Sequence, residues 1–335
     1  MKRFRLLKWL MLILISWALG ACVKEEEKAL EIVSTREVVN NGNIIVEALF
    51  EDASRMYFRL VSPNEAEVTC AYEYFPEEEE FWKYAGKVVI PEEFTHYGQV
   101  YRVVGIGRAA FNSCESLTEV LIPESVIRYV DEAAFAGSVA LESVKMPSHI
   151  EKVGTGAFAG CAKLAAIEIP EGPAEIYDYT FKGCESLTEI RMPQSVERVG
   201  FSAFFGCRNL KKVDLESVTV VGLGAFGGCE SLEEVVMPKM EYVSRSAFLS
   251  CTGLRSVDLP DTVETVSGFA FRGCTSLTSV ICRAIVPPRI TLPGDVYEDP
   301  FEGCQISEIK VPTESVNAYK TAKDWFEYAD KIVGL

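Results

Sequence analysis

The side chains that most often carry catalysis are scarce in this sequence or lie in the wrong context. Gly222, Gly224 and Gly227 match the G-x-G-x-x-G pattern of a dinucleotide site, which needs a strand before it and a long helix after it. The same stretch recurs every 22–24 residues with Ala-Phe inside it, so the pattern predicts a repeat turn. His96 and His149, the two histidines, have no catalytic or metal-binding motif around them. We therefore predict no enzymatic activity and no cofactor.

The acidic residues are numerous, but their spacing specifies no metal site. Asp295, Glu298 and Asp299 lie close together in a proline-rich insertion, Ala284–Pro300, yet they lack the spacing of a calcium-binding loop, so we predict no metal. The formal net charge of −16 argues against nucleic acid as a partner and against binding to an anionic surface by charge. This acidity serves either solubility or the attraction of a basic ligand, and composition leaves both open.

The cysteines raise the question of disulfides, which an exported chain can form. Most of them recur at one position of the repeat, where neighbouring copies would lie close enough for a bridge. Ser138 takes that position in one copy and cannot pair, and cysteine is often simply a small buried side chain. We predict mostly free, buried thiols. The recurring cysteines are Cys114, Cys161, Cys184, Cys207, Cys229, Cys251, Cys274 and Cys304.

The elements that position all of these residues are copies of one repeat unit, and a fixed period of this size indicates a solenoid of stacked coils. In each unit Leu-x-x-Val-x-Ile predicts a short strand with one buried face, and the Pro that follows marks its end. A second apolar pair predicts an extended return segment, and Ala-Phe-x-x-Cys predicts one tight helical turn. Stacking would place each phenylalanine on the next at about 4.8 Å. The predicted core column comprises Phe111, Phe135, Phe158, Phe181, Phe204, Phe226, Phe248 and Phe271, with a worn copy at Phe301.

The phrase Ala-Phe-x-x-Cys-x-x-Leu-x-x-Val-x-Ile-Pro, which runs through residues 84–335, resembles the BspA-type leucine-rich repeat. The resemblance implies a right-handed, β-rich leucine-rich-repeat solenoid, with one short parallel strand per coil of 22–24 residues, short helical turns, an N-terminal β cap and a C-terminal helical cap. It also implies a surface protein of Bacteroides-like bacteria or parasitic protists that adheres to a host or partner, usually without catalysis.

The N-terminus predicts export and anchoring. Residues 1–21 have a basic start and an apolar run, Trp9–Leu19, that is too short to span a bilayer and is typical of a signal peptide. Leu19-Gly20-Ala21-Cys22 resembles a bacterial lipobox, which implies a lipid on Cys22; an ordinary signal peptide with an accidental cysteine is the alternative. Cleavage would remove Lys2, Arg3, Arg5 and Lys8, changing the charge from −16 to −16 − 4 = −20.

The rest of the chain divides into a tether, a cap, the repeats and a second cap. Residues 22–38 form a lipid anchor and an acidic tether whose Lys24–Glu27 run resembles an export signal of Bacteroidetes lipoproteins, or is only a solvated linker. We therefore expect a surface-exposed outer-membrane lipoprotein. Residues 39–103 form a β-rich cap, whose Glu77–Trp82 loop packs on it or meets a partner, and 104–312 form the repeats. Residues 313–335 form a helical cap with one apolar stripe, Tyr319, Ala322, Phe326, Ala329 and Val333.

Strand alternation also predicts where a ligand would bind. The residues beside each inward Val or Ile face outward and vary between copies, which is typical of a recognition surface, although unselected solvent positions vary as well. We predict binding of a host or microbial surface protein, an extracellular-matrix protein or a glycan; a structural or accessory part in an envelope complex is the alternative. The membrane would be contacted by the N-terminal lipid only. The predicted binding face comprises Glu119, Leu121, Lys145, Glu168, Glu189, Arg191, Lys212, Asp214, Glu234, Val236 and Asp258.

Overall fold

A computed structural model of the protein describes residues 31–40, 42–70, 83–124, 127–290 and 297–335. The predicted signal peptide, Cys22, most of the acidic tether and the Glu77–Trp82 loop lie outside the described residues, as do positions 291–296 of the insertion. Glu31–Leu335 form one compact unit. Within the described ranges, no helix has both the length and the apolar character needed to span a bilayer.

The N-terminal cap is an antiparallel meander whose second, third and fourth strands each bury three or four consecutive residues. Gly42, at φ 80°, turns the chain between the first two strands, and Ser62–Glu65 joins the next pair in the predicted hairpin. The last strand of the meander then pairs in parallel with the first long strand of the repeats, so the cap covers the open end of the first coil. The meander consists of β1 (Ile32–Asn40), β2 (Asn43–Phe50), β3 (Arg55–Ser62) and β4 (Glu65–Thr69).

Each coil has three sides, the first of which carries the predicted short strand. The inward residues of these strands, such as Val120, Ile190 and Val257, are buried, and a proline follows most strands within two residues, as predicted. We call this parallel array the front ladder. It consists of β5 (Gly86–Val89), β8 (Leu117–Leu121), β10 (Ser143–Lys145), β13 (Glu189–Arg191), β15 (Lys212–Asp214), β17 (Glu234–Val236), β19 (Ser256–Leu259), β21 (Ser279–Cys282), β22 (Glu308–Val311) and β23 (Ile332–Gly334).

The second side, the return ladder, holds the second apolar pair of each repeat. Its strands are mostly two residues long, and their second residue, such as Val199 or Val266, points into the core. A hairpin of Glu93–His96 with Gln99–Ile106 starts this side. The return ladder consists of β6 (Glu93–His96), β7 (Gln99–Ile106), β9 (Tyr129–Val130), β11 (Lys152–Val153), β12 (Glu175–Ile176), β14 (Arg198–Val199), β16 (Val220–Val221), β18 (Tyr242–Val243) and β20 (Thr265–Val266).

Both ladders are interrupted. Residues 166–168 occupy a strand position of the front ladder without forming a strand, although Ile167 is still buried. Two alanines, Ala165 and Ala166, stand there, and alanine is depleted in strands. In the same coil the return ladder is open as well, because β11 and β12 do not pair. The front ladder is also open between β17 and β19, which do not pair. The expected strand is thus present in the other coils and absent in this one.

The third side, the turn stack, contains the Ala-Phe-x-x-Cys segments and continues through every coil. Around Phe204, the N–H groups of Ser202, Phe204 and Gly206 donate to carbonyls of the next coil at 3.0, 2.7 and 2.8 Å. The N–H groups between them close turns within the coil, such as Phe205 to the Ser202 carbonyl. Bonds to the next coil thus alternate with bonds inside the coil. This alternation is accompanied by left-handed backbone two residues before and two residues after the phenylalanine, with φ of 48° at Ser202 and 76° at Gly206.

The phenylalanine column is confirmed. Its rings are buried and stack nearly parallel, with centroids 4.9 Å apart at Phe111–Phe135 and up to 5.6 Å apart at Phe271–Phe301. Tyr84 closes the column at the cap end, tilted against Phe111 at 4.6 Å. The Tyr84 hydroxyl donates to the Thr69 carbonyl, so its burial leaves no unsatisfied donor.

The recurring cysteines are free thiols that hydrogen-bond along the stack. The Cys207 Sγ donates to the Phe181 carbonyl of the preceding coil at 3.2 Å, and the same bond repeats from Cys161 to Cys304. Ser138 can take the place of cysteine in this column because its Oγ donates to the Phe111 carbonyl at 2.6 Å. The repeat therefore selects a small buried donor at this position.

The C-terminal segment consists of short helical turns followed by a strand. A 3-10 turn (Thr313–Ser315), α1 (Val316–Thr321) and a second 3-10 turn (Phe326–Tyr328) lead into β23, which pairs in parallel with β22. The predicted single apolar stripe is wrong beyond Ala322, because the helix ends there and the phase changes. Phe326 and Val333 are 67% and 42% exposed, whereas Trp325, Tyr328 and Ile332 are buried.

Candidate binding surface

The predicted binding face is the outward side of the front ladder. Parallel register brings its residues into rows: Ser143 lies beside Glu119, Lys145 beside Leu121, and Lys212 between Glu189 and Glu234. Glu119, Leu121, Asp214 and Val236 are half-buried by their neighbours. The exposed members are Lys145, Glu168, Glu189, Arg191, Lys212, Glu234 and Asp258.

Several charges on this face pair along the rows, from coil to coil. The Lys212 Nζ donates to Glu234 at 2.9 Å, and this contact raises the pKa of Lys212. Arg283 forms a two-point pair with Asp258, with Nε and Nη2 donating at 2.8 and 2.7 Å, which raises the pKa of Arg283. Pairs this exposed add little to stability. Their effect is to fix the positions of charged groups that a partner would meet.

Other charges of the face have no ion pair within the described ranges. Glu189 and Arg191 are in register with Lys212 and Asp214, yet neither forms an ion pair there. Asp214 is half-buried, and its Oδ1, which is shielded from solvent, accepts no hydrogen bond from the residues that the structure describes. A buried acceptor without a donor loses hydration without compensation, so this oxygen lowers the stability of the fold.

Glu168 differs from the other predicted members. It is exposed, but it lies in the coil whose strand is missing, so no ladder pairing fixes it beside Lys145 or Arg191. The structure therefore divides the predicted face. On one side of this coil, strand pairing holds together Glu119, Leu121 and Lys145. On the other side, it holds together Glu189, Arg191, Lys212, Asp214, Glu234 and Val236.

A groove of about 720 Å³ marks the second opening, between β17 and β19. The inward Val235 is half-buried there, unlike its counterpart Val213, which is fully buried. Of the predicted face, Glu234, Val236 and Asp258 line the groove. The other lining residues are Glu233, Val235, Met237, Pro238, Ser256, Pro260, Asp261, Arg283 and Leu335.

The groove is acidic. Two of its carboxylates are neutralised, Glu234 by Lys212 and Asp258 by Arg283, whereas Glu233 and Asp261 are exposed and form no ion pair with the residues that the structure describes. Sequence reasoning missed Glu233, Asp261 and Arg283, because they precede or follow the strands and so lie off the alternating pattern. The one feature of the sequence that could have identified these three residues is their position next to the end of a predicted strand.

The remaining chemical candidates belong to the scaffold. Gly222, Gly224 and Gly227 form a turn of the stack, as predicted. His96 is buried in the cap against Thr35 and Glu37, at 2.8 and 3.3 Å.

The acidic insertion is likewise occupied by scaffold contacts where it is described. Glu298 binds Arg245 at 2.6 Å, Asp299 accepts from the Phe301 N–H and the Tyr328 hydroxyl, and Asp295 lies outside the described residues. In the described part of the chain, no three His, Cys, Asp or Glu side chains are arranged to hold a metal ion.

Similarity to known proteins lies in the repeats. The model of the BspA type leucine rich repeat region matches residues 104–233 and 209–332, in six copies. No curated protein matches the chain significantly.

Several solved structures match the chain. A leucine rich cell surface protein from Faecalibacterium prausnitzii A2-165 is 22% identical with a TM-score of 0.46, over 90% of this chain and 94% of that one. A leucine-rich repeat protein of T. pallidum is 22% identical with a TM-score of 0.33, over 70% and 77%. One from Bacteroides ovatus ATCC 8483 is 21% identical with a TM-score of 0.30, over 92% and 100%.

Proposed function

The chain belongs to the family of proteins with BspA-type leucine-rich repeats, and on that premise we propose that it is a non-catalytic protein that binds a partner at the cell surface through the front ladder. Proteins of this family are typically cell-surface proteins. The observation that supports this proposal is the row of varied, exposed side chains held in register on a buried scaffold. A rigid scaffold favours affinity because little conformational entropy is lost on binding.

The proposed partner is a host or microbial surface protein, or an extracellular-matrix protein, that presents a basic segment to the groove. Glu233 and Asp261 line the groove, carry negative charge and form no ion pair with the residues that the structure describes. Lysine or arginine side chains of a partner complement both. Such binding weakens as salt is raised, because the groups are exposed to solvent. A glycan bound at this face is the second class considered.

A paired binding experiment tests the role of the front ladder. The full-length protein and a Glu233→Lys/Asp261→Lys variant are compared for retention of matrix proteins and for adhesion to cells. We expect the variant to lose at least about tenfold in affinity, the effect of one lost charge-assisted contact. Arg198→Glu, a charge reversal at an exposed residue of the return ladder, is the control and should bind as the parent does. Equal binding by all three proteins would remove the front ladder from consideration.

We further propose that a lipid on Cys22 anchors the protein to the outer membrane, with residues 22–38 as the tether and the repeats facing the medium. This part of the proposal is supported by the sequence alone. Cys22→Ser should abolish incorporation of labelled palmitate and release the protein from the membrane fraction. Protease added to intact cells should degrade the parent protein. Protection until the outer membrane is permeabilised would instead favour the accessory part in an envelope complex.

A further inference from the structure

A second surface, on the turn stack, presents exposed aromatic rings. Tyr177, Phe205 and Leu223 are 37%, 38% and 45% exposed, and the half-buried rings of Tyr179 and Phe201 meet edge to face at 4.9 Å. These residues come from three successive coils, and the Tyr179–Phe201 contact together with Lys182, whose Nζ lies near the rings of Tyr179 and Phe205, joins them into one surface. We call it the aromatic patch. Apolar groups concentrated in this way on a protein surface commonly mark a binding site.

The backbone at Tyr179 shows that this aromatic residue is held against a conformational cost. Tyr179 lies two residues before Phe181, at the left-handed position of the turn, with φ of 59°. A bulky residue is rare and strained there, and glycine would be free of strain. The half-exposed ring contributes little to the core in return. Most other coils have small residues at this position: Ala109, Ala133, Gly156, Ser202, Gly224 and Ser246.

Phe269 is the other aromatic residue at this position, and it provides a contrast. It too has a left-handed backbone, with φ of 60°, but Arg245 and Arg272 cover its ring at 5.3 and 4.8 Å. The charges of both arginines are matched, by Glu298 at 2.6 Å and Glu302 at 3.3 Å. The ring of Phe269, half-buried like that of Tyr179, is therefore covered by two arginines whose charges are both matched.

The aromatic patch contains a cation whose charge is not matched in this way. The Lys182 Nζ lies 5.2 Å from the Tyr179 ring centre and 6.0 Å from that of Phe205, and it forms no ion pair with any residue that the structure describes. The nearby Asp178 instead accepts the Phe201 N–H at 2.7 Å. The hydroxyls of Tyr177 and Tyr179 likewise make no hydrogen bond within the described ranges. Lys182 is thus a cation of the patch that can pair with an anionic ligand, while Asp178 keeps its charge and is held by the Phe201 N–H.

We propose that the aromatic patch binds a carbohydrate that carries a carboxylate. A pyranose ring has an apolar face of C–H groups that stacks on aromatic rings, and its hydroxyls pair with the phenolic groups of Tyr177 and Tyr179. Its carboxylate pairs with Lys182. A site of this kind combines apolar walls with a few placed polar groups. It is separate from the front ladder and does not depend on the function proposed for that face.

The test measures binding of defined sugars to the full-length protein by titration calorimetry. The probes are 3′-sialyllactose and trigalacturonate, with lactose as the neutral match. We expect both acidic sugars to bind at least about tenfold more tightly than lactose, since the carboxylate adds one charge-assisted contact. Lys182→Gln should remove this preference. Absence of binding by both acidic sugars, or equal binding of lactose and 3′-sialyllactose, would overturn the proposal.

Two glycine variants separate binding from folding. Tyr179→Gly removes a ring of the patch and relieves the left-handed strain, so it should bind the acidic sugars at least about tenfold more weakly while its melting temperature does not fall. Phe269→Gly makes the same change outside the patch and should bind as the parent does. An equal loss in both variants would count against the patch. Glu233→Lys/Asp261→Lys should leave sugar binding unchanged, which keeps this result independent of the front ladder.

Discussion

The turn stack and the front ladder are built from the same repeat, but the turn stack is continuous and the front ladder is interrupted. The turn stack bonds every coil to the next through backbone N–H groups, phenylalanine rings and thiol donors, from Phe111 to Phe301. The front ladder is open in two places, at residues 166–168 and between β17 and β19. The solenoid therefore holds its coils together chiefly at the turn stack. This leaves the front ladder free to change its outward residues and even to lose a strand.

The largest difference between the turn stack and the front ladder should appear when one side chain in each is truncated. Phe204→Ala removes a fully buried ring between Phe181 and Phe226 and should cost about 3–5 kcal/mol of unfolding free energy. Val235→Ala, at the opening of the front ladder, removes a half-buried side chain and should cost about 1 kcal/mol. Urea denaturation measures both. Equal costs would show that the two sides contribute alike.

Alkaline pH should weaken the turn stack in particular. Burial raises the pKa of the Cys161 and Cys207 thiols from 9.0 to about 12. Because the folded state binds these protons more tightly than the unfolded state, their contribution is complete below pH 9 and is lost as pH rises towards 12. At pH 10 the two thiols together should have lost roughly 2–3 kcal/mol relative to pH 8.

The control for this pH effect is the Cys161→Ser/Cys207→Ser variant. Serine keeps a donor at the Phe carbonyl, as Ser138 does, and does not titrate in this range. Denaturant midpoints measured at pH 8 and pH 10 should differ less in the variant than in the parent protein. An identical fall in both proteins would assign the alkaline effect to other groups, such as the buried tyrosines.

Backbone conformation in the turn stack gives a smaller effect. Gly206 has φ of 76°, and a Cβ there would lie 4.0 Å from Gly183, so space is available and the conformation alone opposes a side chain. Gly206→Ala should cost about 1–2 kcal/mol. The equivalent Ser250, at φ 56°, offers the reverse change, and Ser250→Gly should raise the thermal midpoint. A stabilising Gly206→Ala would contradict the conformational argument.

The smallest effect is expected on the front ladder. Lys212→Ala removes the contact with Glu234, which is solvent-exposed, so the denaturation midpoint should not change measurably. The same variant removes a charged side chain from the proposed binding face, so a column that carries it should retain less partner than one that carries the parent protein. A clear loss of stability would mean that the front ladder carries more of the fold than its interruptions suggest.

The repeat could be predicted from the sequence because its residues meet copies of themselves. Phe204 and Val213 recur at a fixed period, and stacking alone brings them into columns, as found. The interruption at residues 166–168 was not predicted, because Ile167 keeps the inward pattern and only the neighbouring alanines differ. The C-terminal strand β23 was missed because it is added to the ladder by pairing with β22, and pairing is not a local property.

The candidate sites were predictable only in part. Alternation identified Glu189 and Arg191 as outward residues, but it could not show that Lys212 pairs with Glu234 and leaves Glu189 unpaired. The aromatic patch was missed altogether. Tyr179 and Phe201 occupy turn positions at which most copies have small or charged residues, and strand alternation says nothing about the direction of a side chain in a turn.

The regular spacing of the rings has a consequence for how such a chain can change. The centroids of Phe204 and Phe226 are 5.1 Å apart, and each ring of the column stacks on the rings of the coils beside it. Deleting or duplicating one whole unit would therefore shift everything beyond it by a single ring step and leave the new neighbours fitting as the old ones did. Recombination between copies within the gene can in this way lengthen or shorten the array in fixed increments, without the need to evolve a new contact.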